Sequence, residues 1–275
     1  MPELPEVETI VKGLRRELTG DVISQAVVLR DASIGHPSCR DFARFLPGHK
    51  IERVKRRGKY VLIELSDKAS LVVHLKMSGR LLLKKQKSKP DRFLRVSLKL
   101  ESGRELHFED MRVFGRLWFF TSKQNPNELI KGLKTMGVEP LEDLNLEYLK
   151  AKLQKKTAPI KNVIMDQTII AGVGNIYADE SLFMAGIKPA RKAGSLKDKE
   201  IKALIESIIK VLSTAIKAGG SSMKDYTDLD GVNGNYMSES WVYRRTNEKC
   251  RKCKSEIERI KIAGRSTHFC PSCQK

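Results

Sequence analysis

Two groups of residues carry chemistry in this chain, and they stand at its two ends. The front reads Met1-Pro2-Glu3-Leu4-Pro5-Glu6-Val7-Glu8. Removal of Met1 leaves Pro2 with a free secondary amine. An α-amino group titrates near about 7.7–8.0, so a useful fraction is neutral and nucleophilic near pH 7. Such an amine attacks a sugar C1′ or a carbonyl and forms an iminium, the Schiff-base form of covalent catalysis. Glu3 beside it is placed to donate or accept the accompanying proton. Taken alone, the same residues also describe an acidic lead-in to an ordinary helix.

The tail reads Cys250-Arg251-Lys252-Cys253, then sixteen residues, then Cys270-Pro271-Ser272-Cys273. Two Cys-x2-Cys knuckles at this separation predict one tetrahedral Zn²⁺ held by Cys250, Cys253, Cys270 and Cys273. Four protein ligands leave no open position, so the zinc is expected to be structural. Ile257, Ile260 and Ile262 lead into Ala263-Gly264-Arg265-Ser266, which predicts a β-hairpin finger turning at Gly264. Residues 241–275 hold ten Lys/Arg against three Glu, a balance suited to phosphates. Of the five cysteines only Cys39 lies outside the tail, and a secreted disulfide framework would spread them differently.

These ends need elements to hold them. The 275 residues suffice for two domains, and 40% hydrophobic with 31% charged residues describes a folded chain rather than a disordered one. Val7, Ile10, Val11, Leu14 and Leu18 form a helical stripe behind Pro5, which is expected at the first helical position. Strand patterns follow at Val22–Leu29, Ile51–Arg56, Lys59–Leu65, Leu71–Leu75, Arg80–Leu83, Leu94–Leu100, Arg104–Phe108 and Arg116–Phe120, which predict a β-sandwich or barrel. Helices are predicted at Asn145–Lys155, Ile160–Thr168, Ile176–Ala185 and Lys197–Ala218, with Asn175 as N-cap of the third. Residues 219–240, rich in Gly, Ser, Asp and Asn, read as a long loop, either functional or disordered. Lys plus Arg total 52 against 33 Asp plus Glu, a net +19 that favours a polyanionic partner, nucleic acid first. A membrane reading is weak, since no apolar run approaches a spanning length and no signal pattern opens the chain; a cytoplasmic protein is expected.

Several motifs together resemble one family. Pro2-Glu3-Leu4-Pro5-Glu6-Val7-Glu8-Thr9, Arg56-Arg57-Gly58-Lys59-Tyr60, Gly172-Val173-Gly174-Asn175-Ile176-Tyr177 and Gly264-Arg265-Ser266-Thr267-His268-Phe269-Cys270 resemble bacterial formamidopyrimidine-DNA glycosylase in family order. The resemblance implies an α+β fold in two domains. A β-sandwich with a leading helix precedes a helical domain with a helix–two-turn–helix and a β-hairpin zinc finger. The implied boundaries are 1–133 for the catalytic sandwich, 134–238 for the DNA-binding helices and 239–275 for the finger, with 219–240 covering the damaged base. It implies a monomer that removes oxidised purines from double-stranded DNA and cleaves abasic sites. Pro2 is then the nucleophile, Glu3 the proton donor at the sugar and base, Lys59 the β-elimination lysine, and Arg265 the arginine of phosphate contact and δ-elimination. Met77, Arg112 and Phe114 would fill the space left by an everted base, although Met77 and Phe114 read equally well as core residues. Lys156, Lys161 and Asn175 would hold phosphates.

The chain departs from the family in places. Lys89-Pro90-Asp91-Arg92 lacks a family histidine, Val113 stands where a second basic residue is common, and the Thr157-Ala158-Pro159 segment leaves Lys156 ambiguous by one position. A reading of a different class is a non-catalytic zinc-finger protein that binds damaged or branched DNA. It would keep the charge, the cysteines and the wedge.

Overall fold

A computed structural model describes residues 1–85, 91–221 and 234–275. The chain forms two compact units, Met1–Lys134 with Gly219–Gly234 and Thr135–Ala218 with Asn235–Lys275.

The first unit begins with α1 (Leu4–Leu18), one residue earlier than the proline rule suggests. Pro5 lies in the first turn, where a missing N–H costs nothing. Glu3 and Glu6 form a capping box, the Glu6 carboxylate accepting the Glu3 N–H at 2.8 Å. The stripe Val7, Ile10, Val11, Leu14 and Leu18 is fully buried. At about 1.5–3 kcal/mol per buried aliphatic side chain, that face alone accounts for the docking of the helix.

Nine strands follow: β1 (Ile23–Val28), β2 (Ile34–His36), β3 (Ile51–Arg57), β4 (Tyr60–Leu65), β5 (Ser70–His74), β6 (Gly79–Lys85), β7 (Leu94–Leu100), β8 (Arg104–Asp110) and β9 (Arg116–Phe120). One sheet has the order β1-β7-β8-β6 and the other β2-β9-β5-β4-β3. All pairings are antiparallel except β2 with β9. Val61, Ile63, Leu71 and Val73 from one sheet share a core with Val96, Leu98, Leu106 and Phe108 from the other, and α1 closes it. The unit is therefore a sandwich rather than a closed barrel. Within the sandwich, β2 and α2 (Cys39–Phe45) escape the sequence patterns. β2 is three residues long, too short for alternation, and α2 buries only Phe42. Ser38 caps α2, its Oγ accepting from Asp41 N at 3.2 Å. Two short helices, α3 (Pro126–Leu129) and α4 (Lys131–Lys134), end the unit.

The second unit is helical: α5 (Leu146–Leu153), α6 (Ile160–Ile164), α7 (Asn175–Met184), α8 (Asp198–Lys217) and α9 (Tyr236–Glu239). The expected helix over Ile160–Thr168 stops at Ile164. Asp166 Oδ1 takes the Thr168 N–H at 2.9 Å and turns the chain instead. Gly174, not Asn175, caps α7. Helix α7 is buried on almost all sides, from Ile176 to Phe183, and α8 packs an amphipathic face including Leu204, Ile208, Val211 and Leu212. β10 (Glu258–Ile262) and β11 (Arg265–Phe269) form the predicted hairpin. Its turn residues Ala263 and Gly264 have φ of 46° and 77°, the left-handed pair of a tight two-residue turn. Within 219–240 the structure adds α9, while 222–233 lie outside the described residues, so the lesion-covering assignment is not addressed there.

Candidate active site and metal centre

In the first unit the α1 N-terminus buries its polar groups. Pro2 is buried and Glu3 is 3% exposed. Glu6 uses both oxygens: Oε2 takes the Glu3 N–H, and Oε1 takes the Ser221 N–H at 2.8 Å and its hydroxyl at 3.0 Å. One carboxylate thus ties the residue after Pro2 to Ser221. In the sequence Glu6 is one residue of the N-terminal motif, and nothing local marks this role.

Lys59 sits in the two-residue turn between β3 and β4, 6% exposed. His74, at the end of β5, lies under the same hairpin. Its ring meets Tyr60 edge-on at 4.4 Å, and its Nδ1 accepts the Lys76 N–H at 2.9 Å. Burial, reinforced by Lys76 and Lys59, pushes His74 down to about 3. The imidazole is therefore neutral across the physiological range, with its proton on Nε2. No residue pattern separated His74 from the Met77 motif that contains it. A stability consequence follows with a definite sign. The folded value is depressed below the ordinary 6.5, so the unfolded chain takes up the proton first as pH falls. Stability contributed above about pH 6.5 is lost toward pH 3, by about 1.4 kcal/mol per pH unit. Urea midpoints at pH 7 and pH 5 should show this slope, and His74→Asn, which keeps an acceptor for Lys76, should flatten it.

The wedge residues come together at one end of the sandwich. Met77 lies in the β5–β6 connection, and Arg112 with Phe114 in the β8–β9 connection; Gly79 pairs Asp110, and His74 pairs Arg116. Met77 is 42% and Phe114 48% exposed, so neither is a core residue. The Arg112 guanidinium stacks on Phe114 at 4.8 Å. Buried Asp110 organises both connections. It accepts from the Ser78 hydroxyl, from Arg112 N at 3.1 Å and from Gly115 N at 2.7 Å. A Cβ on Gly115 would meet Phe108 at 2.5 Å, so that turn requires glycine. Val113 holds φ +56°, a strained value for a β-branched residue, and such strain gathers at functional loops. Arg92 stacks on Phe93 at 4.5 Å.

In the second unit Lys156 is exposed, beside an open recess of about 390 Å³ also lined by Lys155, Thr157 and Asn162. Lys161 is placed otherwise than expected. It is 1% exposed, and its ammonium meets Asp179 at 2.7 Å, Thr267 Oγ1 at 2.9 Å and the Ser266 carbonyl at 3.1 Å. The expectation of a phosphate contact is corrected: Lys161 ties α6 to the hairpin. Asn175 is partly buried and donates to the same Ser266 carbonyl at 3.1 Å. Asp179 also takes the His268 N–H at 2.9 Å, and its neighbour Glu180 takes the backbone N–H groups of Trp241, Val242 and Tyr243. Burial holds Glu180 above the usual carboxylate range against those three donors. His268 is thus a partner of Asp179. Arg265 is exposed at the first position of β11.

The four cysteine sulfurs lie within 4.8 Å of one another, with Cys250–Cys273 at 4.0 Å and Cys253–Cys270 at 3.4 Å. A tetrahedron with Zn–S of about 2.3 Å has edges of about 3.8 Å. The donor set therefore fits one Zn²⁺. Burial, with the neighbouring cysteines adding, pushes the Cys273 thiol up to about 12; a bound divalent cation reverses that preference and keeps the thiolates ionised. No helix among the described residues is long and apolar enough to cross a membrane.

Comparison with known proteins bears on all three parts. Residues 1–117 match the family description "Formamidopyrimidine-DNA glycosylase N-terminal domain", 136–227 the "Formamidopyrimidine-DNA glycosylase H2TH domain", and 247–275 the "Zinc finger found in FPG and IleRS". Curated relatives named formamidopyrimidine-DNA glycosylase include one from Prochlorococcus marinus subsp. pastoris, 43% identical with all of both chains covered. Another, from Gloeobacter violaceus, is 44% identical over all of this chain and 98% of its own length. Among solved structures, the Lactococcus lactis Fpg bound to abasic-site DNA is 36% identical with a TM-score of 0.92, covering 99% of each chain. The wild-type Lactococcus lactis enzyme with N7-benzyl-Fapy-dG DNA gives the same identity and TM-score over 100% of each chain.

Proposed function

The chain belongs to the formamidopyrimidine-DNA glycosylase family and is a base-excision repair glycosylase and abasic-site lyase; from that premise we propose that Pro2, Glu3, Lys59 and Arg265 carry its chemistry on oxidised purines in duplex DNA. The observation that carries the assignment is the burial of Glu3 and Lys59, two ionisable groups on neighbouring elements of one unit, with Pro2 buried beside the first. Burying charge costs free energy, and such groups gather where chemistry uses them.

Once Met1 is removed, the Pro2 nitrogen attacks C1′ of the everted nucleotide. The C1′–base bond breaks, the base leaves with a proton, and Glu3 is the donor at the sugar and base. The nitrogen loses its own proton, and the opened sugar becomes a cationic iminium. That cation acidifies the C2′ hydrogen; its removal, with Lys59 in attendance, expels the 3′ phosphate. Arg265 contacts the phosphate that leaves in the second elimination. Met77 and Phe114, with Arg112, fill the vacated stack, which offsets part of the cost of eversion. Lys156 and Asn175 hold phosphates of the DNA backbone; Lys161, already neutralised by Asp179, does not. The structural zinc holds the finger in its fold.

The experiment is a panel of duplexes carrying 8-oxoguanine, a formamidopyrimidine, an abasic site or no lesion, incubated with borohydride. A covalent complex should form with the first three and not the fourth. Capture of none of the three, with tight binding retained, would leave only a DNA-binding protein.

A further inference from the structure

We infer that Glu8 and Arg56 are positioning residues for Lys59, which they join to the helix that Pro2 and Glu3 lead into. The inference rests on the role of Lys59 proposed above. Lys59 occupies the second position of the β3–β4 turn, between paired Arg57 and Tyr60. Gly58, at the first position, has φ +54°, whereas Lys59 is not left-handed. The two primed turn types differ by a flip of the central peptide, here the Gly58 carbonyl with the Lys59 N–H. The flip would drive Lys59 to positive φ and re-aim its side chain.

Arg56 restrains that peptide. Its Nη1 donates to the Gly58 carbonyl at 3.2 Å, and its Nε donates to Glu8 Oε2 at 2.8 Å. The Arg56 side chain is 6% exposed and that of Glu8 19%. Glu8 stands in the second turn of α1, and Arg15 on the same helix donates to the Val54 carbonyl of β3 at 3.1 Å. Helix and hairpin are therefore registered at two levels, and the upper one ends on the peptide that aims Lys59. A buried ion pair is seldom more stabilising than an apolar pair of the same volume. A planar guanidinium fork is instead well suited to fixing two acceptors in one geometry. The pair earns its place here through that alignment.

A double-mutant cycle tests this. Arg56→Met is made in the processed protein and in a Lys59→Ala background, and single-turnover β-elimination is measured on abasic duplex. With Lys59 present, the rate should fall about 30-fold, the scale of a misaimed reacting group. With Lys59 absent, Arg56→Met should cost no more than about threefold, because residues acting through one group are non-additive. Arg56→Lys keeps the charge but loses the fork, and should fall with Arg56→Met. Equal losses in both backgrounds would overturn the inference and leave Arg56 a merely structural residue. If Arg56→Met proves unfolded by urea titration, Glu8→Gln enters the same cycle, with the same pattern expected and the same additivity against it. An unsubstituted, processed protein that cuts nothing would instead defeat the parent reading.

Discussion

Protein that retains Met1 should neither cut lesion-bearing duplex nor be trapped on it, at least about 10³-fold below the processed form, roughly 4 kcal/mol of activation free energy. The reason is elementary. Met1 converts the Pro2 nitrogen from an amine into a tertiary amide, whose lone pair is delocalised into the carbonyl. An amide nitrogen does not add to C1′. The preparation would be split by intact mass into retained and processed fractions, and each would be assayed on the same abasic duplex. Pro2→Gly complements it, because a primary amine forms an imine that must be protonated before it draws electrons as an iminium does. Its trapped yield should fall steeply while duplex affinity stays within a few-fold. Equal trapping by the Met1-bearing protein would transfer the nucleophile's role to another residue. Glu3 is anchored through its N–H to Glu6, so neither change should unfold α1.

Removal of zinc should be comparably severe by a different route. Cys270→Ser, or a strong chelator at neutral pH, is expected to dissolve the β10–β11 hairpin and to lower lesion-duplex affinity by about 10² or more. The finger's apolar cluster is small: Val242, Cys250, Ile257 and Cys270 with Phe183, flanked by Trp241 and Cys273. Two of its members are themselves metal ligands. A core that small supplies little free energy, whereas structural zinc contributes about 10–16 kcal/mol in isolated fingers. Arg265 stands on the hairpin that would be lost, so the loss extends from binding to strand cleavage. One zinc per chain by elemental analysis, falling with activity on chelation, is the expected measurement. Cys39→Ser, remote in sequence and outside the cluster, should leave both unchanged. A zinc-free protein with unaltered affinity would defeat the prediction.

Much of this architecture was legible in the residues. The alternating strands from Ile51 to Phe120 announced themselves by period, and the cysteine spacing by ligand geometry. Met77 and Phe114 did not, because hydrophobicity predicts burial; only their exposure separates a wedge from a core residue. The phosphate role of Lys161 came from the family resemblance alone; its partner Asp179 lies on another helix, and nothing local marks a tertiary ion pair. His74 was hidden within a strand end, and its neutrality arises from the fold around it. Helix α6 was read four residues too long, because Asp166 competes for the backbone with a side-chain bond that apolar periodicity does not register.

Helix α7 has a consequence for anyone who would transplant the zinc module. Its adjacent acids grip both flanks of the finger, Asp179 at the second strand and Glu180 at the approach to the first knuckle. A peptide cut at Asn235 would carry every thiolate and still leave both clasps behind on the donor. Chimeras that exchange the finger between relatives should therefore move it together with Asn175–Met184, as a single graft.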